Sequence, residues 1–390
     1  MGKPGVCAEP DMGFRKEGSM RDKYLDTIVV NRGNQKRLKN LMLRARAGES
    51  VAIGYLGGSI TMGCDATAPE KCYASLSCQW WRERFPQAEV KYYNAGIGAT
   101  TSEFGVARVD EDLLYAGPDL VFIEFSVNDG NSTHFLETYE GLVRHVYNSP
   151  SRPAVVLLHN SFFSTGISTE EIHTAVGRHY DLPCVSFRNN VHARIAAGEL
   201  AAESVTADDL HPNDTGHVML ADTIRHFLDG VYAEAEHPEP EPVFPERPLT
   251  PNRYEHSRRL RNGQLEVDSC EGFTEDHAPQ EHMTDIFKCG WEAWEEGAYM
   301  EFTMTGSALA MQYRRTIRKP APAARVIVDG DEAGAVVLDG EFDETWGDLL
   351  ALTTVFERQE SGEHHVRIEL CRTHEKEASG FYLVSVITAG

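Results

Sequence analysis

The sequence contains no uninterrupted apolar run of the roughly 18 residues that a membrane-spanning helix needs. Its first twenty residues also lack the apolar core of a secretory signal. They begin Met-Gly, but Val6 occupies the position at which N-myristoylation requires serine or threonine. From these absences we expect a cytoplasmic protein without a membrane partner.

Positive charge is scarce as well. The 390 residues include 37 Lys and Arg against 60 Asp and Glu, so that the formal net charge is −23. Nucleic-acid binding requires clustered basic residues, and a strongly acidic surface repels polyanions. We therefore expect no nucleic-acid partner and a neutral substrate.

The eight cysteines are scattered along the chain, without a Cys-x-x-Cys pair and without histidines at zinc-ligand spacing. In the absence of a signal peptide, their thiols are expected to stay reduced. The sequence therefore predicts neither a metal site nor an organic cofactor, and we expect the chemistry to depend on side chains alone.

Buried strands and helices alternate in the first part of the chain. Apolar runs typical of buried strands are VAIGYLGG at 51–58 and further segments at 90–96, 119–126, 154–160 and 182–187. Helical patterns occupy 72–85, 102–115, 133–149, 169–180 and 213–233, and an amphipathic helical lead-in covers 21–49. This alternation predicts a parallel sheet covered on both faces, so that residues 1–234 form one three-layer α/β domain.

The composition changes after residue 234. Residues 235–252 contain six prolines and several glutamates, which predicts a semi-rigid linker. Beyond it, alternating runs such as YMEFTMTGSALAMQYRR are separated by Gly and Asp turns, among them Asp329-Gly330-Asp331. Residues 253–390 are therefore predicted to form a β-sandwich or jelly-roll domain.

A serine follows two glycines where the first predicted strand ends, in the sequence Gly57-Gly58-Ser59. Ligands of open parallel sheets bind outside the carboxyl ends of the strands, and glycines let the backbone turn tightly enough to expose a hydroxyl there. Taken alone, the same residues are also typical of an ordinary strand-ending turn.

Asp208 and His211 lie three residues apart in one predicted loop. A serine nucleophile needs a neutral imidazole to accept its proton, and the imidazole needs a carboxylate to fix its tautomer. This pair meets both needs locally if Asp208 binds one ring nitrogen and Ser59 the other. A capped turn with a surface histidine is the alternative interpretation.

Two further segments follow predicted strands and offer hydrogen-bond donors. Asn128, in Ser-Val-Asn-Asp after the strand DLVFIEF, has an amide that suits a developing oxyanion. The segment NAGIGATT at 94–101 offers backbone N–H groups at Gly98 or Ala99. Four motifs in one chain, three of them directly after predicted strands, together indicate an acyl-transfer site.

In their order and residues, these motifs resemble the conserved blocks of the SGNH hydrolases, the GDSL-like superfamily. The resemblance covers about residues 50–230. It implies a flavodoxin-like parallel sheet, with Ser59 as nucleophile and with Asp208 and His211 completing the catalytic triad.

The resemblance also implies an oxyanion hole made of the Ser59 N–H, a backbone N–H at Gly98 or Ala99, and the Asn128 amide. The sequence departs from the usual blocks in two places. It has GGSIT in place of GDSL, and it has Gly98-Ala99 in place of a Gly-Gly or Ser-Gly pair. The second departure leaves open which of the two residues donates.

More narrowly, the runs GYLGGSITMG, NAGIGATTSEFG, FIEFSVNDGN and LHPNDTGH, followed by a β-domain, resemble bacterial carbohydrate-esterase family 17, the acetylmannan esterases. The resemblance implies a serine esterase that removes O-acetyl groups from manno-oligosaccharides and carries a carbohydrate-binding-module-like C-terminal domain. Two alternatives remain, a lipase- or thioesterase-type enzyme and a non-catalytic carbohydrate-binding protein. The oligomeric state stays open, a homodimer included.

Two tryptophans of the β-domain, Trp291 and Trp294, flank an acidic turn. Indole rings are large, rigid and amphipathic, so these residues are candidates for stacking on a sugar substrate. The competing interpretation places them in the core or at the rim of the sandwich.

Overall fold

The computed structural model describes residues 22–390, and the expectations for the first twenty residues lie outside this part. Its helices are α1 (Lys36–Arg46), α2 (Ser59–Met62), α3 (Tyr73–Arg84), α4 (Ser102–Asp112), α5 (Thr133–Asn148), α6 (Glu170–His179), α7 (Ala193–Ala196) and α8 (Asp214–Ala233). Its strands are β1 (Val29–Asn31), β2 (Val51–Gly57), β3 (Val90–Gly96), β4 (Leu120–Glu124), β5 (Ala154–His159), β6 (Cys184–Ser186), β7 (Arg258–Leu260), β8 (Ser269–Glu271), β9 (Thr274–Glu275), β10 (Trp291–Ala293), β11 (Tyr299–Arg315), β12 (Ala323–Val328), β13 (Val336–Asp339), β14 (Leu349–Arg372) and β15 (Phe381–Ala389). No helix within residues 22–390 is both long and apolar enough to cross a membrane.

The first six strands form one sheet in the order β1-β6-β5-β4-β2-β3, and all neighbouring pairs among β2 to β6 run parallel. Every residue of β2, β4 and β5 is buried, as a sheet covered on both faces requires. Helices α1, α3 and α8 contribute to the core on one face, and α4, α5 and α6 to the core on the other. The predicted three-layer parallel α/β fold is therefore confirmed.

The predicted helical lead-in over 21–49 is only partly helical. Within it, β1 joins the edge of the sheet antiparallel to β6, and α1 covers the second half. The side chain of Asn34 accepts a hydrogen bond from Lys36 N at 3.0 Å, and Gly48 follows the helix with a φ of +87°. The prediction was wrong for the first half because an edge strand of three residues is too short to show the alternation of apolar and polar residues that identifies a strand.

Strands β7 to β15 form a separate antiparallel domain. Its two longest strands, β11 and β14, pair with each other along most of their lengths, with an irregularity between Gly306 and Ala308. The first half of β11 also pairs with β8, whereas the second half pairs with β15. Phe302 from the first half and Met311 from the second belong to one apolar core, as the predicted β-sandwich requires.

Residues 235–252 contain no helix or strand and lie against the α/β domain. Phe244 stacks between Tyr147 and Tyr180, with ring centroids 4.1 and 4.5 Å away. The backbone of Glu239 exchanges two hydrogen bonds of 2.8 Å with the side chain of Asn40. Each of these contacts restricts the course of the proline-rich segment and therefore the position of the domain that follows it.

The two domains share an apolar cluster. Ile97 and Phe104 of the α/β domain meet Leu350, Val384 and Ile387 of the β-domain, and all five side chains are buried. Burying a large apolar side chain contributes roughly 1.5–3 kcal/mol, so this cluster favours the docked arrangement. Because Ile97 directly precedes the predicted oxyanion residues, the interface adjoins the candidate site.

A histidine beside this interface contacts carboxylates of both domains. His134 Nδ1 is 2.9 Å from Glu357 of β14, and its Nε2 is 3.3 Å from Glu103 of α4. Burial lowers the pKa of His134, but the two carboxylates outweigh burial and raise that pKa to about 9. At neutral pH the charged ring therefore connects the domains electrostatically.

Candidate active site

Ser59 is the first residue of α2 and is separated from β2 by Gly58 alone. Lack of space explains both glycines. A Cβ on Gly57 would lie 2.2 Å from Thr61 Oγ1, and one on Gly58 would lie 2.5 Å from Asn128 Oδ1. The φ of Gly58 is −88°, so the turn from β2 into α2 needs no left-handed residue, and close packing around the serine is a further physical reason for the motif.

The loop before α8 brings His211 to Ser59. Its Nε2 is 2.9 Å from Ser59 Oγ, and its Nδ1 is 2.6 Å from Asp208 Oδ2. The other oxygen of Asp208 accepts hydrogen bonds from the backbone N–H groups of Leu210 at 2.9 Å and His211 at 2.7 Å. The Asp-x-x-His spacing thus folds into a local turn that holds the carboxylate against the imidazole.

The pKa values of this pair shift in opposite directions. Burial raises the pKa of Asp208, but hydrogen bonds from the ring and backbone of His211 and from Leu210 N outweigh burial and lower it to about 2. The Cys64 thiol beside the ring raises the pKa of His211, burial lowers it, and Asp208 raises it further. The pKa that results is about 9. Asp208 is therefore ionised at neutral pH, and His211 must first lose a proton before its Nε2 can accept the proton of Ser59.

Cys64→Ala should shift the pH dependence of ester hydrolysis. A protonated His211 cannot accept the serine proton, so kcat/KM should rise with pH as the ring loses its proton. Because Cys64 adds to the raised pKa of His211, its removal should move the acid limb to lower pH. The profile is measured with p-nitrophenyl acetate. Cys270→Ala, which removes an exposed thiol, is the control, and an unshifted profile for Cys64→Ala would contradict the prediction.

Asn128 and Gly98 both lie close to the nucleophile. The Asn128 carboxamide packs against Gly58, and a Cβ on Gly98 would lie 3.8 Å from Ser59 Cβ. Ala99 follows with a φ of +55°, a left-handed conformation that costs a non-glycine residue roughly 1–2 kcal/mol. The structure thus brings the predicted oxyanion residues to the serine, with Gly98 against it and Ala99 exposed.

A cavity of about 330 Å³ opens beside Ala99, between the two domains. Ala99 and Thr100 contribute to its wall from the α/β domain, and Gln312, Tyr313 and Thr353 contribute from β11 and β14. Sequence reasoning missed these three β-domain residues. No local signal marked them, because in a run of alternating strand residues such positions look like core or surface.

The predicted sugar-stacking role of Trp291 is wrong. Trp291 lies on β10 within the sandwich core and is 2% exposed, so neither face of its indole is available to a sugar. Trp294 is 46% exposed, but it does not line the cavity beside Ala99. A binding role for Trp294 stays a prediction.

Asp65, Asp208 and His211 form a group whose ligand-type atoms lie within 4.8 Å of one another. Both ring nitrogens of His211 are within hydrogen-bonding distance of other triad members, Ser59 on one side and Asp208 on the other. The arrangement therefore suits acid–base chemistry better than the coordination of a metal ion.

Similarity to known proteins covers both domains. The sequence profile of the GDSL-like Lipase/Acylhydrolase family matches residues 55–219, which include Ser59, Asp208 and His211. The solved structure of a two-domain esterase (CEX) active on acetylated mannans, co-crystallised with mannopentaose, is 48% identical over 94% of this chain and 98% of that chain, with a TM-score of 0.90. A second structure of such an esterase has the same identity and coverage and a TM-score of 0.91. An acetylxylan esterase from Geobacillus stearothermophilus is 16% identical over 47% of this chain and 96% of that chain, with a TM-score of 0.40. No curated protein matches the chain.

Proposed function

The chain belongs to the GDSL-like lipase/acylhydrolase family and is an ester hydrolase, and we propose that it removes O-acetyl groups from manno-oligosaccharides by a serine mechanism. One observation carries the proposal, the continuous hydrogen-bond chain from Asp208 through His211 to Ser59. The choice of substrate is supported by the 48% identity to an esterase active on acetylated mannans.

In the acylation step, His211 Nε2 accepts the proton of Ser59 while Oγ attacks the carbonyl carbon of the acetyl ester. Asp208 accepts the hydrogen bond from Nδ1–H and stabilises the imidazolium that forms. His211 then donates the proton to the sugar oxygen as its bond to the acetyl carbon breaks. Water attacks the acetyl-enzyme with the same assistance, which releases acetate and restores Ser59.

Negative charge develops on the carbonyl oxygen in both steps. In this proposal it is bound by the backbone N–H groups of Ser59 and Gly98 and by the Asn128 amide. Support comes from the positions of Gly98 against Ser59 and of Asn128 against Gly58. Donors fixed in this way stabilise the tetrahedral intermediate without reorganising during the reaction.

Asn128→Ala should lower kcat by about 10²–10³ while KM stays within about threefold, because an oxyanion donor acts mainly in the transition state. Steady-state kinetics with p-nitrophenyl acetate measures both constants. Asn189→Ala is the control, because the Asn189 side chain donates a hydrogen bond of 2.8 Å to Thr27 O and does not bind any member of the triad. An increase in KM with an unchanged kcat would instead assign Asn128 to binding of the ester in the ground state.

The sugar chain is proposed to lie in the cavity beside Ala99. That residue borders the predicted oxyanion segment, so an acetyl group bound at Ser59 would keep its sugar near this opening. On the opposite wall, the half-buried Thr353 adds a hydroxyl that can bind a polyhydroxylated ring, whereas Gln312 and Tyr313 are themselves buried. The β-sandwich would then act as a carbohydrate-binding module that completes the site.

The decisive test is acetate release from a panel of acetylated oligosaccharides. Acetylated manno-oligosaccharides should lose acetyl groups, as seen by mass spectrometry, faster than acetylated xylo-oligosaccharides do, and the Ser59→Ala variant serves as the blank. p-Nitrophenyl esters of increasing acyl length are assayed in parallel. A preference for long acyl chains would identify a lipase- or thioesterase-type enzyme, and binding of the sugars without turnover would identify a carbohydrate-binding protein.

A further inference from the structure

A second aspartate–histidine pair lies beneath the predicted oxyanion hole. Asp129 directly follows Asn128, and both its side chain and that of His173 are 0% exposed. Asp129 Oδ2 is 3.0 Å from His173 Nε2 on α6, and Asp129 Oδ1 accepts a hydrogen bond of 2.9 Å from Ser102 N. One buried carboxylate therefore connects the turn that carries Asn128 to two helices.

The contact with Ser102 places the carboxylate at the N-terminus of α4. Ser102 is the first residue of this eleven-residue helix, where unpaired N–H groups and the helix dipole favour a negative charge. It lies three residues after Ala99 in the sequence. Asp129 therefore joins the turn of Asn128 to the end of the segment that carries the other predicted oxyanion donor.

The contact with His173 is fixed by the surroundings of the ring. Tyr139 stacks on this imidazole with centroids 3.5 Å apart and an interplanar angle of 4°. Among residues 22–390, His173 Nδ1 has no hydrogen-bond partner. A proton on Nδ1 would be a buried N–H without an acceptor, so the proton belongs on Nε2. His173 Nε2–H therefore donates a hydrogen bond to Asp129.

The turn of Asn128 is also anchored two residues earlier, where Ser126 O accepts hydrogen bonds from Thr169 N at 2.8 Å and from Thr169 Oγ1 at 3.0 Å, but Asn128 and Asp129 themselves have few other attachments. The N–H groups of Asn128 and Asp129 share a single acceptor, Phe125 O, at 3.0 Å each. Asn128 Oδ1 is buried and has no partner in the described part of the chain. The direction of the Asn128 amide therefore depends on how the residue next to it is anchored.

We propose that Asp129 is a positioning residue for ester hydrolysis, which holds the Asn128 amide at the oxyanion by anchoring its turn to α4 and to His173. The inference rests on the proposed function, in which Asn128 stabilises the tetrahedral intermediate. It assigns His173 a supporting role, because this ring fixes the orientation of the Asp129 carboxylate.

The test is a double-mutant cycle on kcat with p-nitrophenyl acetate. Asp129→Ala should lower kcat about tenfold or more with KM nearly unchanged, because a misaligned Asn128 amide stabilises the transition state less. In the Asn128→Ala background the same substitution should cost threefold or less, because the donor that it positions is already gone. A residue that only stabilises the fold would give no change in kcat for the folded fraction, or an equal loss in both backgrounds, and either result would overturn the proposal.

Two further variants make the test specific. Asp129→Asn keeps an oxygen that can accept the hydrogen bond from Ser102 N, so it should recover part of the kcat lost in Asp129→Ala. If Asp129→Ala does not fold, Asp129→Asn takes its place in the cycle. Thr138→Val removes the side-chain hydrogen bond of 2.7 Å to Ser102 and serves as a control, because it lowers stability without releasing Asp129. If Asp129→Asn and Thr138→Val had the same kcat as the wild type while Asn128→Ala was impaired, Asp129 would have no positioning role.

Failure of this inference can be distinguished from failure of the proposed function. Retention of full activity by Ser59→Ala would contradict the serine mechanism itself. Loss of activity in Ser59→Ala and Asn128→Ala, with full activity in folded Asp129→Ala, would contradict this inference alone.

Discussion

Ser59→Ala is expected to lower kcat by about 10⁴-fold or more, to the level of the uncatalysed background in an ordinary assay. The substitution removes Ser59 Oγ, which lies 2.9 Å from His211 Nε2, so no covalent acetyl-enzyme can form. The fold should persist, because the change deletes one atom and leaves the glycines and backbone of the motif in place.

Acetate release and thermal unfolding of the same preparation test this result together. Ser75→Ala, in the neighbouring helix α3, is the matched control and should keep wild-type activity. Turnover by a folded Ser59→Ala protein within about tenfold of the wild type would contradict the assignment of the nucleophile.

His211→Ala is expected to lower kcat by about 10³-fold or more, and Asp208→Asn somewhat less. Without the imidazole, nothing accepts the Ser59 proton. Without the charge of Asp208, the ring loses the partner that orients Nδ1–H at 2.6 Å and stabilises its positive form. The smaller effect of Asp208→Asn follows because the amide retains an oxygen for the same hydrogen bonds.

The neighbouring aspartate provides a matched control for this pair. Asp209 turns away from the imidazole with a φ of +70° and binds the backbone N–H and the hydroxyl of Ser164, both at 2.7 Å. Asp209→Asn should therefore change kcat by only a few-fold. A larger loss in Asp209→Asn than in Asp208→Asn would show that the wrong member of the pair has been assigned to His211.

The parts of the structure that local sequence determines were predictable. Strands such as β2 and β4 are buried along their whole lengths, so each appears as a short apolar run between turns. The contact of Asp208 with His211 was predictable for the same reason, because only two residues of one loop separate them. The meeting of Ser59 with His211 spans 152 residues and followed from the order of motifs, not from any local pattern.

Long-range pairings without a motif were not predictable. Asp129 and His173 are 44 residues apart and lie on elements that sequence places only approximately. Trp291 is part of a strand whose burial alternates, and a tryptophan on such a strand points to the core or to solvent depending on a register that sequence does not reveal. The wall of the cavity between the domains depends on docking, which is decided by apolar surfaces far apart in the chain.

The interface cluster also has a consequence for biosynthesis. Val384 and Ile387, which cover Ile97 and Phe104, belong to β15, which the ribosome makes after the whole α/β domain. Domains generally fold in order as the chain emerges, so the α/β domain with its triad is complete while its apolar interface still lacks a partner. A nascent chain that has not yet reached β15 would therefore display this surface to chaperones and proteases.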